Sequence, residues 1–290
     1  MNLKTSGNIE SRSADAVLRE WRESAFYWQK HHGAIRTMFQ PVTQALIEAA
    51  GIVQGHSVLD VAGGSGEPSL TIAETVGATG SVTCTDAIQE MVAAAETEAK
   101  RRGLTNIKFQ QCLAESLPFA DRSFEAVVCR MGAMFFPDPV AALGEMMRVT
   151  RDDGIVALVV WGKSELNPFF TAISEVVDRH FDPQPNEPDA PSAFRFAEPG
   201  VLSELLKSVG AVSVTERELN FHIAAPISPR EFWEVRSETS GSLRGKLASL
   251  SGDERNTVSQ ETQKAVGAFF PNNQMSFPAQ MILLTGKKVR

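Results

Sequence analysis

The chain has 290 residues, of which 43% are hydrophobic and 22% charged, proportions typical of a globular protein rather than a disordered or fibrous one. Its longest apolar run, Ile155–Trp161, is much shorter than the ~20 residues that cross a bilayer, and Met1–Ser13 is polar, so we expect no membrane span and no secretory signal but a cytoplasmic protein. The net charge of −7 comes from residues 1–199, which carry 26 acidic against 17 basic side chains, and this excess disfavours a nucleic-acid partner.

Two helices are predicted at the N-terminus. A helix over about residues 12–31 is indicated by apolar side chains that recur at the spacing of one helix face: Val17, Trp21, Ala25 and Trp28. A second helix is expected over Ile35–Ala50, ended by Gly51. Residues 1–56 are therefore predicted to form a helical cover for the domain that follows.

Residues 57–225 are predicted to form an α/β core, because short β-rich runs alternate with helical stretches over most of this range. The predicted strands are Val58–Val61, Ser81–Thr85, Ile107–Cys112, Phe124–Arg130 and Ile155–Trp161. The predicted helices are Pro68–Val76, Ile88–Arg102 and Pro139–Val149. Since strands joined through helices run parallel, we expect a parallel sheet with helices on both faces.

The last third of the chain departs from this alternation. The elements expected there are a helix over Pro168–Phe181, a proline-rich loop over Pro183–Pro191, a helix over Pro199–Val209, and two strands over Val212–Ile223 and Met275–Lys287. The two strands would form an antiparallel hairpin, with residues 274–290 as the final strand of the core. Residues 226–273 between them are patterned as helices, and so long an insertion in a compact domain is usually functional.

The predicted fold is thus a Rossmann-like three-layer α/β sandwich. Its mostly parallel seven-stranded sheet ends in an antiparallel hairpin, and a helical cap is added to it.

A glycine-rich turn follows the first predicted strand, in the segment Val58–Leu70. Such a turn, at the carboxyl edge of a parallel sheet and before a helix, lets a ligand approach the backbone. A dinucleotide site would require a third glycine where Ser69 stands, and it would place a pyrophosphate against Glu67. An NAD-dependent oxidoreductase is therefore the less favoured alternative.

An acidic residue, Asp86, ends the second predicted strand about twenty residues after the glycine turn. A carboxylate can accept hydrogen bonds from both hydroxyls of a ribose, and this spacing favours that role. The alternative is that Asp86 caps the following helix.

These motifs together resemble the class I S-adenosylmethionine-dependent methyltransferases, and in particular the ubiquinone/menaquinone-biosynthesis branch. The resemblance rests on the motif Asp60-Val-Ala62-Gly63-Gly64-Ser65-Gly66, in which Ala62 replaces the first glycine. The resemblance implies S-adenosylmethionine as cofactor, with Asp60 and the loop of Ala62, Gly63, Gly64 and Gly66 at its methionine part. It also implies that Asp86 holds the ribose.

The adenine contacts are implied by the same resemblance. Ala87, Ile88 and Met91 would flank the ring. The family usually has an Asp where Leu113 stands, so the backbone of Ala114 and the carboxylate of Glu115 are the expected substitutes. Leu113 is also the one feature that favours a non-catalytic binding protein that keeps the fold.

The segment from Cys129 to Asp138, at the end of the fourth predicted strand, is where methyl group and acceptor should meet. Arg130 is assigned to the cofactor, and Met131–Phe136 form an apolar wall that suits a small apolar or aromatic acceptor. The Asn/Asp-Pro-Pro-aromatic motif of enzymes that methylate amino groups is missing. We expect in-line displacement with no metal ion, and no catalytic residue is assigned, although His31, His32, His180 and His222 are candidate bases.

The N-terminal helix is predicted to act as a lid, with Trp21, Tyr27 or Trp28 over the cofactor. The 226–271 insert is expected to enclose the acceptor. The alternative is that the insert forms a dimer contact through Phe232 and Trp233, so the sequence is also compatible with a homo-oligomer.

Overall fold

The computed structural model describes residues 6–181 and 191–290, with side chains from residue 15 onward. Its strands are β1 (Ser57–Val61), β2 (Ser81–Asp86), β3 (Ile107–Gln111), β4 (Phe124–Arg130), β5 (Thr150–Trp161), β6 (Val212–Ala225) and β7 (Met275–Lys287). Its α-helices are α1 (Ser6–Lys30), α2 (His32–Ala49), α3 (Ser69–Val76), α4 (Gln89–Arg102), α5 (Pro139–Val149), α6 (Pro168–Val177), α7 (Val201–Ser208), α8 (Pro229–Thr239), α9 (Gly241–Ala248) and α10 (Gly252–Ala265).

The strands form one sheet in the order β3-β2-β1-β4-β5-β7-β6. The first five run parallel, while β7 is antiparallel to both β5 and β6. This confirms the predicted mixed sheet with its antiparallel final hairpin. The chain leaves β1 toward one edge and returns at β4 toward the other, so the strand order reverses between them. Open α/β sheets bind ligands at the carboxyl end of such a reversal.

Local sequence signals explain several element boundaries. The Asp138 side chain accepts the Ala141 backbone N–H at 2.9 Å and starts α5, with Pro139 in its first turn. Ser228 and Ser251 each form a capping box, at the starts of α8 and α10. The central strands are apolar on both faces and buried, as a sheet covered by helices requires.

The insert between β6 and β7 is helical, as predicted. Helices α8 and α9 pack against α1, and α10 packs against α6. Phe232 is fully buried, stacked on Phe277 with ring centroids 4.9 Å apart, and Trp233 is half-buried. Phe232 is therefore a core residue of the cap and does not offer an exposed face for a dimer contact.

Some boundaries differ from the prediction. Helix α1 begins at Ser6, and β5 begins at Thr150, so it includes residues 151–154, an Arg-Asp-Asp-Gly segment whose residue types are typical of a turn. The pairing of β5 with β4 shifts register here, opposite Phe124 and Ala126, and Asp153 has a φ of +65°. The turn is thus built into the strand as an irregularity. The predicted loop over Pro183–Pro191 lies, except for Pro191, outside the described residues.

Within the part of the chain that the structure describes, no helix is both long and apolar enough to cross a bilayer.

Candidate functional site

The loop between β1 and α3 turns sharply at the carboxyl edge of the sheet. Ala62, Gly64 and Gly66 have φ values of +59°, +57° and +116°, in the region that favours glycine. A Cβ on Gly63 would lie 2.7 Å from the sulfur of Cys84 on β2, closer than atoms can approach. Glycine at this position therefore lets the loop backbone lie directly on the neighbouring strand.

Asp60 lies beneath this loop. Its carboxylate is fully buried, Oδ2 accepts a hydrogen bond from Ser69 Oγ at 2.5 Å, and Oδ1 has no hydrogen-bond partner among the described residues. Burial raises the pKa of Asp60 to about 7. The resemblance places Asp60 at the methionine part of the cofactor; in the structure its Oδ2 packs against Gly63, where an added Cβ would lie 2.8 Å away.

Asp86 joins the loop to the next helix. Its Oδ2 accepts the backbone N–H of Gly64 and its Oδ1 accepts that of Ile88, both at 2.9 Å. Each carboxylate oxygen has a further lone pair, so these bonds leave acceptor capacity for a ligand. Burial raises the pKa of Asp86 to about 6, so it remains ionised at neutral pH. The capping and the ligand-binding interpretations are thus compatible.

A cleft opens above the loop, where the strand order reverses. Eleven of the residues placed at the cofactor from the sequence line it: Ala62, Gly63, Gly64, Asp86, Ala87, Ile88, Met91, Leu113, Ala114, Glu115 and Arg130. Asp60, Gly66 and Tyr27 do not. Gly66 packs against Leu70, and Tyr27 lies against the guanidinium of Arg244 on α9, 5.2 Å from its ring centroid.

Arg130 ties α2 to the glycine loop. Its Nη1 donates to Thr43 Oγ1 at 2.7 Å, and its Nη2 donates to the carbonyl of Glu67 at 2.9 Å. The side chain is buried, and burial lowers the pKa of its guanidinium. Arg130 therefore fixes the wall of the cleft through two elements distant in sequence.

A charged cluster at the cleft was not predicted as a site. Glu67 Oε1 accepts from Arg102 Nη2 at 2.8 Å, and His32 Nδ1 lies 3.8 Å from Glu98 Oε1. Burial lowers the pKa of His32, so it is neutral near pH 7, and its buried Nε2 has no partner among the described residues. The cluster draws on α2, α4 and the loop before α3, and no local pattern links these residues.

A second cavity of about 420 Å³ adjoins the cleft. Six residues line both spaces and form their shared wall: Val17, Trp21, Trp28, Ile35, Met131 and Phe135. The Trp21 ring lies edge-on to Phe135 at 5.0 Å and 5.7 Å from Trp28. Helices α6, α8 and α9 complete the cavity, which is lined mainly by aromatic and aliphatic side chains.

Histidine is absent from the described lining of this cavity. His31 contacts Glu238, His180 contacts Glu261, and His222 contacts Ser276. The described residues also contain no group of three His, Cys, Asp or Glu side chains that could hold a metal ion. Of the four candidate bases, His32 lines the adjoining cleft, and none lies in the described lining of this cavity.

Residues 59–158 match the family model described as a methyltransferase domain. Among curated proteins, an uncharacterized protein of Mycobacterium tuberculosis is 43% identical over 121 residues, 42% of this chain and 43% of that protein. The ubiquinone/menaquinone biosynthesis C-methyltransferase UbiE of Bdellovibrio bacteriovorus is 38% identical over 139 residues, 48% of this chain and 58% of that protein. The matched region thus spans about half the length of these relatives.

The fold has a solved counterpart in YcgJ of Bacillus subtilis, with a TM-score of 0.55 and 22% identity over 87% of this chain and 99% of that chain. Together with the family match, this confirms the predicted Rossmann-like fold and the resemblance to class I S-adenosylmethionine-dependent methyltransferases.

Proposed function

We propose that this chain, whose residues 59–158 match a methyltransferase domain, transfers the methyl group of S-adenosylmethionine to a small apolar or aromatic acceptor. One observation supports this above all. The cleft that contains Asp86, the candidate ribose ligand, shares a wall with a mainly apolar cavity. Methyl transfer by in-line displacement needs donor and acceptor in contact, and two adjoining spaces meet that need.

The residues of the cleft fit this cofactor. Asp86 retains acceptor capacity for ribose hydroxyls, and Ala87 and Met91 offer apolar surface for an adenine ring. The unpartnered Oδ1 of Asp60 and the carboxylate of Asp86 make the loop region favourable for a cationic ligand. A nucleoside with a positively charged tail matches this combination.

S-Adenosylmethionine, when bound, supplies a methyl group that is already activated on a sulfonium. The protein then contributes position and the exclusion of water. The aromatic wall of Trp21 and Phe135 orients the two partners, and Met131, at a φ of +61°, lies on the same wall. Helices α8 and α9 close the acceptor side, which favours a small molecule over a macromolecule.

Two other functions are less well supported. For an NAD-dependent oxidoreductase, the carboxylate of Glu67 lines the cleft where a pyrophosphate would bind, and Ser69 stands in place of the third glycine. For a non-catalytic binding protein, the supporting feature is Leu113, which lines the cleft but is 46% exposed.

Calorimetry with S-adenosylhomocysteine and with NADH, followed by turnover with methyl-labelled S-adenosylmethionine, tests the proposal. We expect binding of the first ligand only, and transfer of label to one of a panel of phenols, quinones and sterols. RNA and protein extracts belong in the same screen. Labelling of RNA or protein without a small-molecule product would contradict the acceptor class, and binding of NADH alone would contradict the cofactor.

A further inference from the structure

Arg236 is a cation within the aromatic part of the acceptor cavity. It lies on α8, and its guanidinium carbon is 4.6 Å from the ring centroid of Phe169 and 4.7 Å from that of Phe170, both on α6. These rings also line the cavity. The planar guanidinium is therefore held in place by aromatic faces, which leaves its N–H groups available for a ligand.

This guanidinium has no acidic partner among the described residues. No carboxylate of residues 15–181 or 191–290 lies within 4.0 Å of it, and its buried Nε has no hydrogen-bond partner in these ranges. The neighbouring cations differ: Lys246 pairs with Asp178 at 2.5 Å, and Arg244 donates to the carbonyl of Glu238 at 2.5 Å. Burial lowers the pKa of Arg236 to about 10, so it remains charged at neutral pH.

The other charged side chains at the cavity do not neutralise Arg236. Asp178 is engaged by Lys246, and Glu20 is exposed. Arg236 is half-buried, and a charge partly removed from water without a counter-ion among the described residues is unfavourable, so binding of an anion relieves this cost. Among the described residues, the cavity thus combines mainly apolar walls with the positive charge of Arg236, which none of them matches.

We propose that Arg236 binds the carboxylate of the acceptor, so that the acceptor is a small aromatic or apolar carboxylic acid. The proposal rests on the proposed function and narrows its substrate class. A guanidinium matches a carboxylate with two parallel hydrogen bonds. Arg236 lines the acceptor cavity but not the cofactor cleft, so the carboxylate would be anchored at the cap. The atom that receives the methyl group would then lie at the other end, near Met131 and Phe135.

The test compares two probes of nearly equal shape, 3-phenylpropionate and the neutral 3-phenylpropionamide. Their binding to the full chain with S-adenosylhomocysteine is measured by calorimetry. We expect the carboxylate to bind at least about tenfold more tightly than the amide, because only it forms the charge-assisted pair. R236M is expected to abolish this preference, and R236K to retain part of it.

R230M is the matched control. Arg230 lies on the same helix but is 79% exposed, with Glu234 as its partner, so its loss should leave the preference unchanged. Equal binding of the two probes to the wild-type protein, or an unchanged preference in R236M, would overturn the proposal. Failure of the carboxylate to bind would do the same. If R236M does not fold, the proposal is tested by comparing the preference for the carboxylate probe in the wild-type protein with that in R236K, where it should be smaller.

The outcome is separable from that of the proposed function. Binding of S-adenosylhomocysteine without a carboxylate preference would reject the role of Arg236 and leave the methyltransferase proposal intact. A preference for the carboxylate, measured without any binding of S-adenosylhomocysteine, would support the anion site and reject the cofactor.

Discussion

The Oδ2 atom of Asp86 accepts the backbone N–H of Gly64 across 2.9 Å. This bond joins the end of β2 to the loop that follows β1, so the carboxylate and the glycine turn are positioned together. Oδ1 of the same side chain accepts the N–H of Ile88 just before α4. The Asp86 carboxylate thus connects the end of β2, the loop after β1 and the start of α4 around the cleft.

Replacement of Asp86 by alanine should weaken the binding of S-adenosylhomocysteine about ten- to a hundredfold, since an unmatched polar pair costs ~1–3 kcal/mol. Calorimetry measures the change. E96A is the control, because Glu96 lies on α4 with a side chain that is 47% exposed and paired with Lys100. Equal affinity of D86A and wild type would reject the ribose assignment.

Replacement of Gly63 by alanine should disrupt the loop, because the added Cβ would lie 2.7 Å from the sulfur of Cys84. We expect a lower melting temperature and weaker cofactor binding. In G144A the new Cβ meets no atom within 4 Å, and alanine should stabilise helix α5 by roughly 0.5–1 kcal/mol. A G63A protein that melts and binds like wild type would show that the loop can shift without cost.

Trp21 separates the cleft from the acceptor cavity, so W21A should admit water to the wall that the two spaces share. We expect kcat/KM to fall about tenfold or more and cofactor binding to weaken. Steady-state kinetics and calorimetry report the two effects. Phe26, on the same helix but 68% exposed, provides the control F26A. Similar kinetics for both variants would contradict a lid role for Trp21.

Asp60 should make stability depend on pH. Burial raises its pKa from 3.8 to about 7, so within this range the folded state holds a proton that the unfolded state has released. The free energy of unfolding contributed by this group therefore decreases as pH rises from about 4 to about 7. D60N removes the buried charge, so its melting temperature relative to wild type should be higher at pH 8 than at pH 5. A difference that does not change with pH would contradict the assignment.

Turnover should not require a divalent metal ion, because displacement at a sulfonium needs no Lewis acid. Activity with labelled S-adenosylmethionine is expected to be the same with and without EDTA. Loss of activity in EDTA that magnesium restores would refute this expectation.

The amino-acid sequence by itself determined the local parts of the molecule. The strand, glycine turn and helix from β1 to α3 are encoded within one short segment, and the ribose candidate Asp86 follows at a fixed spacing. Strand β4, helix α5 and strand β7 have the predicted bounds, since hydrophobic periodicity and turn residues are local signals. The prediction that the cofactor is S-adenosylmethionine came from the family resemblance.

The tertiary structure decided which side chains reach the site. Trp21 and Tyr27 lie on the same helix, yet only Trp21 lines the cleft, because the packing of α1 against α4, α8 and α9 sets which face turns inward. Asp60 is fully buried and packs against Gly63 of the loop that follows it, which spacing does not reveal. Arg236 meets Phe169 and Phe170 from a helix more than sixty residues away. Contacts between residues so distant in sequence depend on how the elements pack, and hydrophobic periodicity does not predict them.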